Sequence, residues 1–128
     1  MTDLAPHRRG TTFERRFPIS PPWTGDSFTG GVKFTLRRSI PEDSSVLNDD
    51  DAVDQATAEA GEITFEGEGT EEDPCYVTIT IPASRTNLWP LGRLVWDVQG
   101  TVTDDPDDLV YDLDYGTLPV RGDVTRSA

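Results

Sequence analysis

The chain has 128 residues, enough for one domain that buries roughly two thirds of the surface its unfolded form exposes. Ten prolines and eleven glycines indicate many turns and short elements, which argues against a long helix. A net charge of −13 would repel nucleic acid and anionic membranes, and the single cysteine, Cys75, excludes an internal disulfide or a cysteine-based zinc site.

The first 38 residues contain a polar arm and two predicted strands. Residues 1–10 are polar and predict a flexible amino-terminal arm. Apolar and polar side chains alternate over residues 11–19, and Arg15 falls on the apolar side, which predicts a strand at a sheet edge. A turn region with three glycines follows at 23–31. Residues 32–38 alternate regularly, as expected of an antiparallel sheet with one face buried and the other wet.

The middle of the chain combines a long acidic segment with two more strands. Residues 39–60 are predicted as a loop, although the alanine-rich stretch 52–60 could form one or two helical turns. Gly61 precedes a short predicted strand, and an acidic turn occupies residues 67–74. The clearest alternation in the chain then follows, with one face formed by Cys75, Val77, Ile79 and Ile81.

The last third predicts a helical turn at 83–88 and a hairpin of two long strands. In the first strand Leu94, Trp96 and Val98 share one face. In the second, one face is predicted to hold Tyr111, Leu113 and Tyr115. Six or seven alternating segments without a competing helical period predict an all-β protein. The expected architecture is a single antiparallel β-sandwich domain over residues 11–126, with two sheets around one core.

Several short segments recur in an order typical of one family. They are a glycine-led strand at 9–13, a glycine turn and basic-ended strand at 27–38, Gly-x-Ile at 61–63, Gly-Arg-Leu-Val-Trp-Asp-Val-Gln at 92–99, and a closing segment at 113–126. In this order the chain resembles the small immunoglobulin-like proteins of tailed bacteriophages, which are related to the amino-terminal domain of upper-baseplate (BppU-type) proteins. The resemblance covers most of residues 8–126. It implies an immunoglobulin-like sandwich with a structural role in the virion.

Charge is divided unevenly along the chain. Residues 1–38 contain seven basic residues and three acids, whereas the remainder contains four basic residues and twenty-one acids. One interpretation is a solvated acidic coat. The other is head-to-tail docking of identical copies, in which a basic strand of one copy meets an acidic face of the next.

The sequence offers no set of residues suited to catalysis. The only histidine, His7, lies in the predicted arm, so neither a histidine triad nor a histidine metal cluster can form. We therefore predict no enzyme activity and no cofactor. Weak calcium candidates occur in two aspartate runs, but the same runs suit solvated turns and neither has the EF-hand spacing. These candidates are Asp49, Asp51, Asp105 and Asp107.

Five residues are candidates for contact with a partner. Trp23 and Trp89 lie beside prolines in predicted loops and Phe28 lies in the glycine-rich turn, where an aromatic side chain either anchors a contact or packs into the loop. Arg8 and Arg9 could carry the arm to an adjacent subunit. Trp96 and Cys75 are instead predicted to lie in the core.

The predicted function is that of a non-enzymatic structural protein in the tail, baseplate or fibre-attachment region of a tailed virus. Its partners would be other virion proteins and further copies of itself, as a homo-oligomer or multicopy ring. Two alternatives remain open: a capsid-surface decoration protein of the same fold, and a receptor- or carbohydrate-binding module that uses the loop tryptophans. Residues 1–20 lack the apolar run of a signal peptide, so we expect synthesis in the host cytoplasm and localisation in the virion.

Overall fold

The computed structural model describes residues 2–38, 52–103 and 108–122. Strands dominate these ranges. In chain order they are β1 (Thr2–Asp3), β2 (His7–Arg8), β3 (Phe13–Pro18), β4 (Gly31–Arg37), β5 (Ala52–Thr57), β6 (Ile63–Glu66), β7 (Tyr76–Ile81), β8 (Gly92–Val102) and β9 (Leu109–Arg121). A 3-10 turn occupies Gly25–Ser27, and the predicted helical turn is confirmed as α1 (Ala83–Thr86).

The strands form two sheets, as the alternating sequence predicts. The large sheet has the order β1-β9-β8-β4-β5, with β2 also paired to β9, and the small sheet has the order β3-β7-β6. β3 lies at a sheet edge, as predicted. The neighbouring strands are antiparallel except for β1 and β2, which run parallel to β9. The predicted all-β sandwich is confirmed as two sheets around one core.

The core lies between the inward faces of the two sheets. Because side chains alternate along a strand, one residue in two from β3, β4, β7 and β8 enters it. Phe17 of the small sheet stacks on Trp96 of the large sheet with ring centroids 5.4 Å apart. Phe13 stacks on Phe34 at 5.7 Å. Trp96 and Cys75 are buried, which confirms their predicted place in the core.

The outer face of β4 is more buried than predicted. Thr35 and Arg37 belong to the face expected to be wet, yet both are buried. β4 lies between β5 and β8 in the large sheet, so neighbouring side chains cover its outer face. Arg37 Nη1 lies 3.7 Å from Asp97 Oδ1, which places a carboxylate beside the buried guanidinium.

The predicted loop at 39–60 is wrong for residues 52–57. Residues 52–57 form β5, which pairs with β4 and brings Ala56 opposite Phe34 in the core. A helical turn of this length is marginal by itself, whereas pairing with β4 gives every second backbone group a hydrogen bond. Residues 39–51 lie outside the described part of the chain.

The predicted flexible arm at residues 1–10 contains two short paired strands in its described part, residues 2–10. β1 and β2 add to the edge of β9, where the N–H of Leu4 donates to the Thr117 carbonyl at 2.9 Å. The N–H of Arg9 donates to the Arg121 carbonyl at 2.9 Å. His7 is buried and its ring packs on Phe13, with centroids 5.3 Å apart. The unpaired edge of β9 supplies backbone acceptors that composition alone does not reveal.

The hairpin of β8 and β9 is confirmed, but its faces are not those predicted. The pairing shifts between Val98 and Gln99, because Leu113 is an extra residue on β9. Such a bulge reverses the alternation beyond it. Tyr111 therefore lies opposite the buried Gly100, whereas Tyr115 lies opposite Asp97 on the outer face. The two tyrosines do not share a face.

Candidate interaction surface

Trp89, predicted as a partner contact, belongs to the core. Its side chain is only 1% exposed, and its indole N–H donates to Asp54 Oδ2 at 2.9 Å. The ring packs on His7 and Phe13, with centroids 5.6 and 5.4 Å away. The contact prediction is wrong here because the segment between α1 and β8 turns the indole inward, where a carboxylate satisfies its one polar group.

Asp54 also anchors an ion network that joins the two sheets. Arg85 on α1 donates to Asp54 Oδ1 and to the carbonyl of Gln55, both on β5. The same guanidinium forms an ion pair with Glu62, next to β6. The side chains of Arg85, Asp54 and Glu62 are 32%, 13% and 20% exposed, so the network is largely withdrawn from water. Its charges are matched internally, which suits a structural role.

Phe28 is buried as well, which corrects the second contact prediction. Gly100 on β8 makes room for its ring, because a Cβ atom there would lie 2.4 Å from Phe28 Cδ1. Trp23 stacks on Phe28 with centroids 5.1 Å apart and remains half-buried. The exposed Tyr111 ring lies 5.2 Å from the Trp23 ring, measured between centroids. Trp23 therefore packs against Tyr111, a surface aromatic residue that was not predicted as a partner contact.

One half of β9 is left uncovered at its edge. β1 and β2 pair with residues 116–121, and no described strand pairs with the same edge over 109–115. Large apolar side chains are exposed along this half, and Val110 is 57% exposed. Aspartates lie among them. We call this surface the acidic patch; it consists of Asp108, Leu109, Val110, Tyr111, Asp112, Asp114 and Tyr115.

A second exposed surface lies at the other end of the same hairpin. Leu88 is 80% exposed and Leu91 is also exposed, in the segment that precedes β8. Leu91 lies beside Gly122, just after β9. The pairing of β2 with β9 places Arg8 next to Arg121. We call this surface the basic patch; it consists of Arg8, Arg9, Leu88, Leu91, Arg93 and Arg121.

The two patches lie towards opposite ends of β9. Leu109 begins this strand and Arg121 ends it, roughly 40 Å apart at about 3.3 Å per residue, and Tyr115 at the near end of the acidic patch is roughly 20 Å from Arg121 along the strand. Arg8 and Arg9 were predicted contact residues, and the fold places them with two arginines from the last third of the chain. The consecutive apolar residues at 109–111 were the available signal for the acidic patch, since alternation fails there.

The residues considered for metal binding and catalysis add no further site. Asp49, Asp51, Asp105 and Asp107 lie outside the described residues. Within residues 2–38, 52–103 and 108–122, no group of three or more His, Cys, Asp or Glu side chains could hold a metal ion. His7 Nε2 donates to the Thr11 carbonyl at 3.0 Å. In the same ranges no helix is long and apolar enough to cross a bilayer.

Comparisons with known proteins leave the family open. No protein-family model matches the chain, and no curated protein sequence matches it. Among solved structures, the chain is similar to the major subunit of aggregative adherence fimbriae type I from Escherichia coli. The identity is 11%, the match covers 94% of this chain and 91% of that one, and the TM-score is 0.31.

Proposed function

We propose that this protein is a non-enzymatic structural subunit of a tailed-virus particle and acts through protein–protein contacts. The observation that carries the proposal is the uncovered half of β9, where large apolar side chains face solvent along a sheet edge. Exposed apolar residues grouped on an edge strand are typical of an interaction surface. Tyr111 is suited to anchor such a contact, because Trp23 and Phe28 stack behind it.

The described edges of β5, β6 and β3 are protected. At the edge of β5, Arg85 occupies the carbonyl of Gln55. β6 has only four residues. On β3, Pro18 has no N–H, and the carbonyl of Glu14 accepts a hydrogen bond from Arg15 Nη1 at 2.8 Å. These are common ways of preventing unwanted association. Unlike these edges, the apolar stretch of β9 is uncovered, which supports its use as a binding surface for a partner.

The contact that we propose is made by side chains. The N–H of Tyr115 is already bonded to Asp114 Oδ1 at 2.8 Å, and the bulge at Leu113 interrupts the regular edge. Both features oppose the addition of a regular strand. The exposed side chains of the acidic patch remain available to a partner.

The assignment to a virion rests on the sequence resemblance to small tail proteins. We place the protein in the tail, baseplate or fibre-attachment region, in several copies, after synthesis in the host cytoplasm. The carbohydrate-binding alternative depended on Trp23 and Trp89, and the burial of Trp89 removes one of its two aromatic residues. The capsid-decoration alternative differs from the tail only in location.

The test is to locate the protein in purified particles and to alter the acidic patch. Mass spectrometry should detect the chain in purified virions, and electron microscopy with a labelled antibody fragment should place it on the tail. Val110→Asp should lower the number of copies per particle several-fold. Thr64→Asp, an exposed strand residue on the small sheet, is the matched control and should not. Absence from particles refutes the proposal, and label confined to the capsid refutes the tail location.

A further inference from the structure

We propose that copies of this protein associate head to tail, with the acidic patch of one copy bound to the basic patch of the next. This inference rests on the proposed function, because it uses the same uncovered half of β9. It goes further in naming the occupant, a second copy of this chain. The contact would join residues that lie at opposite ends of the β8–β9 hairpin.

The two patches match in composition and differ in charge. Each has exposed aliphatic side chains: Leu109 and Val110 in one, and Leu88 and Leu91 in the other. The acidic patch adds three carboxylates and the basic patch adds four guanidinium groups. An apolar centre with charged surroundings is the usual anatomy of a specific interface, and opposite charges align the partners.

The surrounding charges leave this contrast in place. Gln99 on β8 lies between Lys33 on β4 and Asp112 on β9. The Lys33 cation is therefore two strands away from the acidic patch. Near the basic patch, β1 contributes Asp3, whose Oδ1 accepts a hydrogen bond from the Thr117 hydroxyl at 2.7 Å. Neither residue reverses the sign of its patch.

Charge opposes contact between like patches. A two-fold contact that placed either patch against its own copy would bring like charges together and cost free energy. Contact between unlike patches avoids this. Where each contact joins one acidic and one basic patch, every added copy leaves one of each available, so growth gives a ring if the rotation closes and a filament if it does not.

The basic partner surface is the basic patch and not strand β3. β3 is a basic edge strand, with Arg15 and Arg16, but its open edge is obstructed. The N–H of Ile19 donates to the Cys75 carbonyl on the β7 side, so by alternation Glu14 directs its backbone groups to the open edge. There the Glu14 carbonyl is already occupied by Arg15. The sequence analysis considered a basic strand as the docking element. We propose instead that the arginines of the basic patch make this contact.

The experiment uses two charge-reversed forms of the full chain, studied by sedimentation velocity. One carries Arg93→Glu and Arg121→Glu, and the other carries Asp108→Lys and Asp112→Lys; all four residues are exposed. The wild type should show an average mass that rises with concentration and falls with added salt. Each variant alone should remain a monomer. Their equimolar mixture should associate again, because the acidic patch of the first form is intact and meets the intact basic patch of the second.

Two controls separate charge from position. Glu71→Lys with Glu72→Lys changes the net charge by as much as Asp108→Lys with Asp112→Lys, but in an exposed turn outside both patches. Arg16→Glu reverses the charge of an arginine on β3. Both should associate like the wild type, and circular dichroism should show all forms folded. The inference is overturned by a wild type that stays monomeric, by variants that still associate alone, or by a mixture that remains monomeric.

The outcomes also distinguish this inference from the proposed function. If the wild type is monomeric but Asp108→Lys with Asp112→Lys lowers incorporation into particles, the patch binds another virion protein. The head-to-tail inference then fails and the structural role stands. If the wild type self-associates as described but is absent from particles, the structural role in the virion fails.

Discussion

Removal of Arg85 should destabilise this fold, because its guanidinium links three elements. It links α1 to β5 through Asp54 and the Gln55 carbonyl, and to the neighbourhood of β6 through Glu62. Arg85→Met keeps much of the side-chain volume and removes the charge and all donors. Two mostly buried carboxylates would then face each other without a cation.

The expected loss can be estimated from the geometry. Breaking a buried ion pair costs about 3–5 kcal/mol, because the remaining charge is left uncompensated. Arg85 is one third exposed, and water can enter the site, so we expect the lower end, about 3 kcal/mol of unfolding free energy. With an unfolding entropy of about 2.1 cal/mol/K per residue over 128 residues, this corresponds to a fall in Tm of about 11 °C.

Urea unfolding followed by circular dichroism measures this loss without relying on the fluorescence of Trp89, which touches the network. Glu66→Gln is the comparison, because it breaks the exposed ion pair between Arg16 and Glu66. That pair should contribute less than about 1 kcal/mol. Adding Glu62→Gln to Arg85→Met should recover part of the lost stability, since one unpaired charge disappears. If Arg85→Met costs no more than Glu66→Gln, the network does not hold the sheets together and the reasoning is wrong.

Three further outcomes are expected. Burial lowers the pKa of His7, although its hydrogen bond to the Thr11 carbonyl opposes this and Arg15 adds to it. The unfolded chain therefore takes up the proton first: the contribution of His7 to stability is complete above its ordinary pKa of about 6.5 and is lost as pH falls through the folded pKa. Urea melts should show this step in the wild type and not in His7→Gln. Gly100→Ala should destabilise the fold by about 1–3 kcal/mol, because the new Cβ meets the ring of Phe28; an unchanged thermal midpoint would contradict the packing. Thr86→Val should cost about 1–3 kcal/mol, because its buried hydroxyl donates to the Thr11 carbonyl at 2.7 Å, and hydrogen exchange should show the amino-terminal segment opening more often.

The uncovered half of β9 supports the proposed structural role, and the resemblance of the sequence supports the proposed tail location. The particle experiment and the sedimentation experiment therefore address separate questions, location and partner.

The sequence by itself determined the layered β architecture and most of the core. A pleated strand sends alternate side chains to opposite faces, so the period-two pattern is readable without knowing which strands pair. This is why the inward faces of β3, β7 and β8, and the place of Trp96, were predicted correctly. The same rule failed at Leu113, since one extra residue reverses the alternation without changing composition.

The tertiary structure alone decided what depends on pairing between distant segments. The segment 52–57 forms a strand because its backbone pairs with the edge of β4. The amino-terminal residues are ordered because β2 pairs with the edge of β9. Phe28 is buried because Gly100 leaves space for its ring. Trp89 is buried because Asp54 accepts the hydrogen bond of its indole N–H. The basic patch likewise brings together residues from both ends of the chain. Such contacts depend on which strands pair, in which register, and on what packs across the two sheets. The alternation along a single strand does not specify these features.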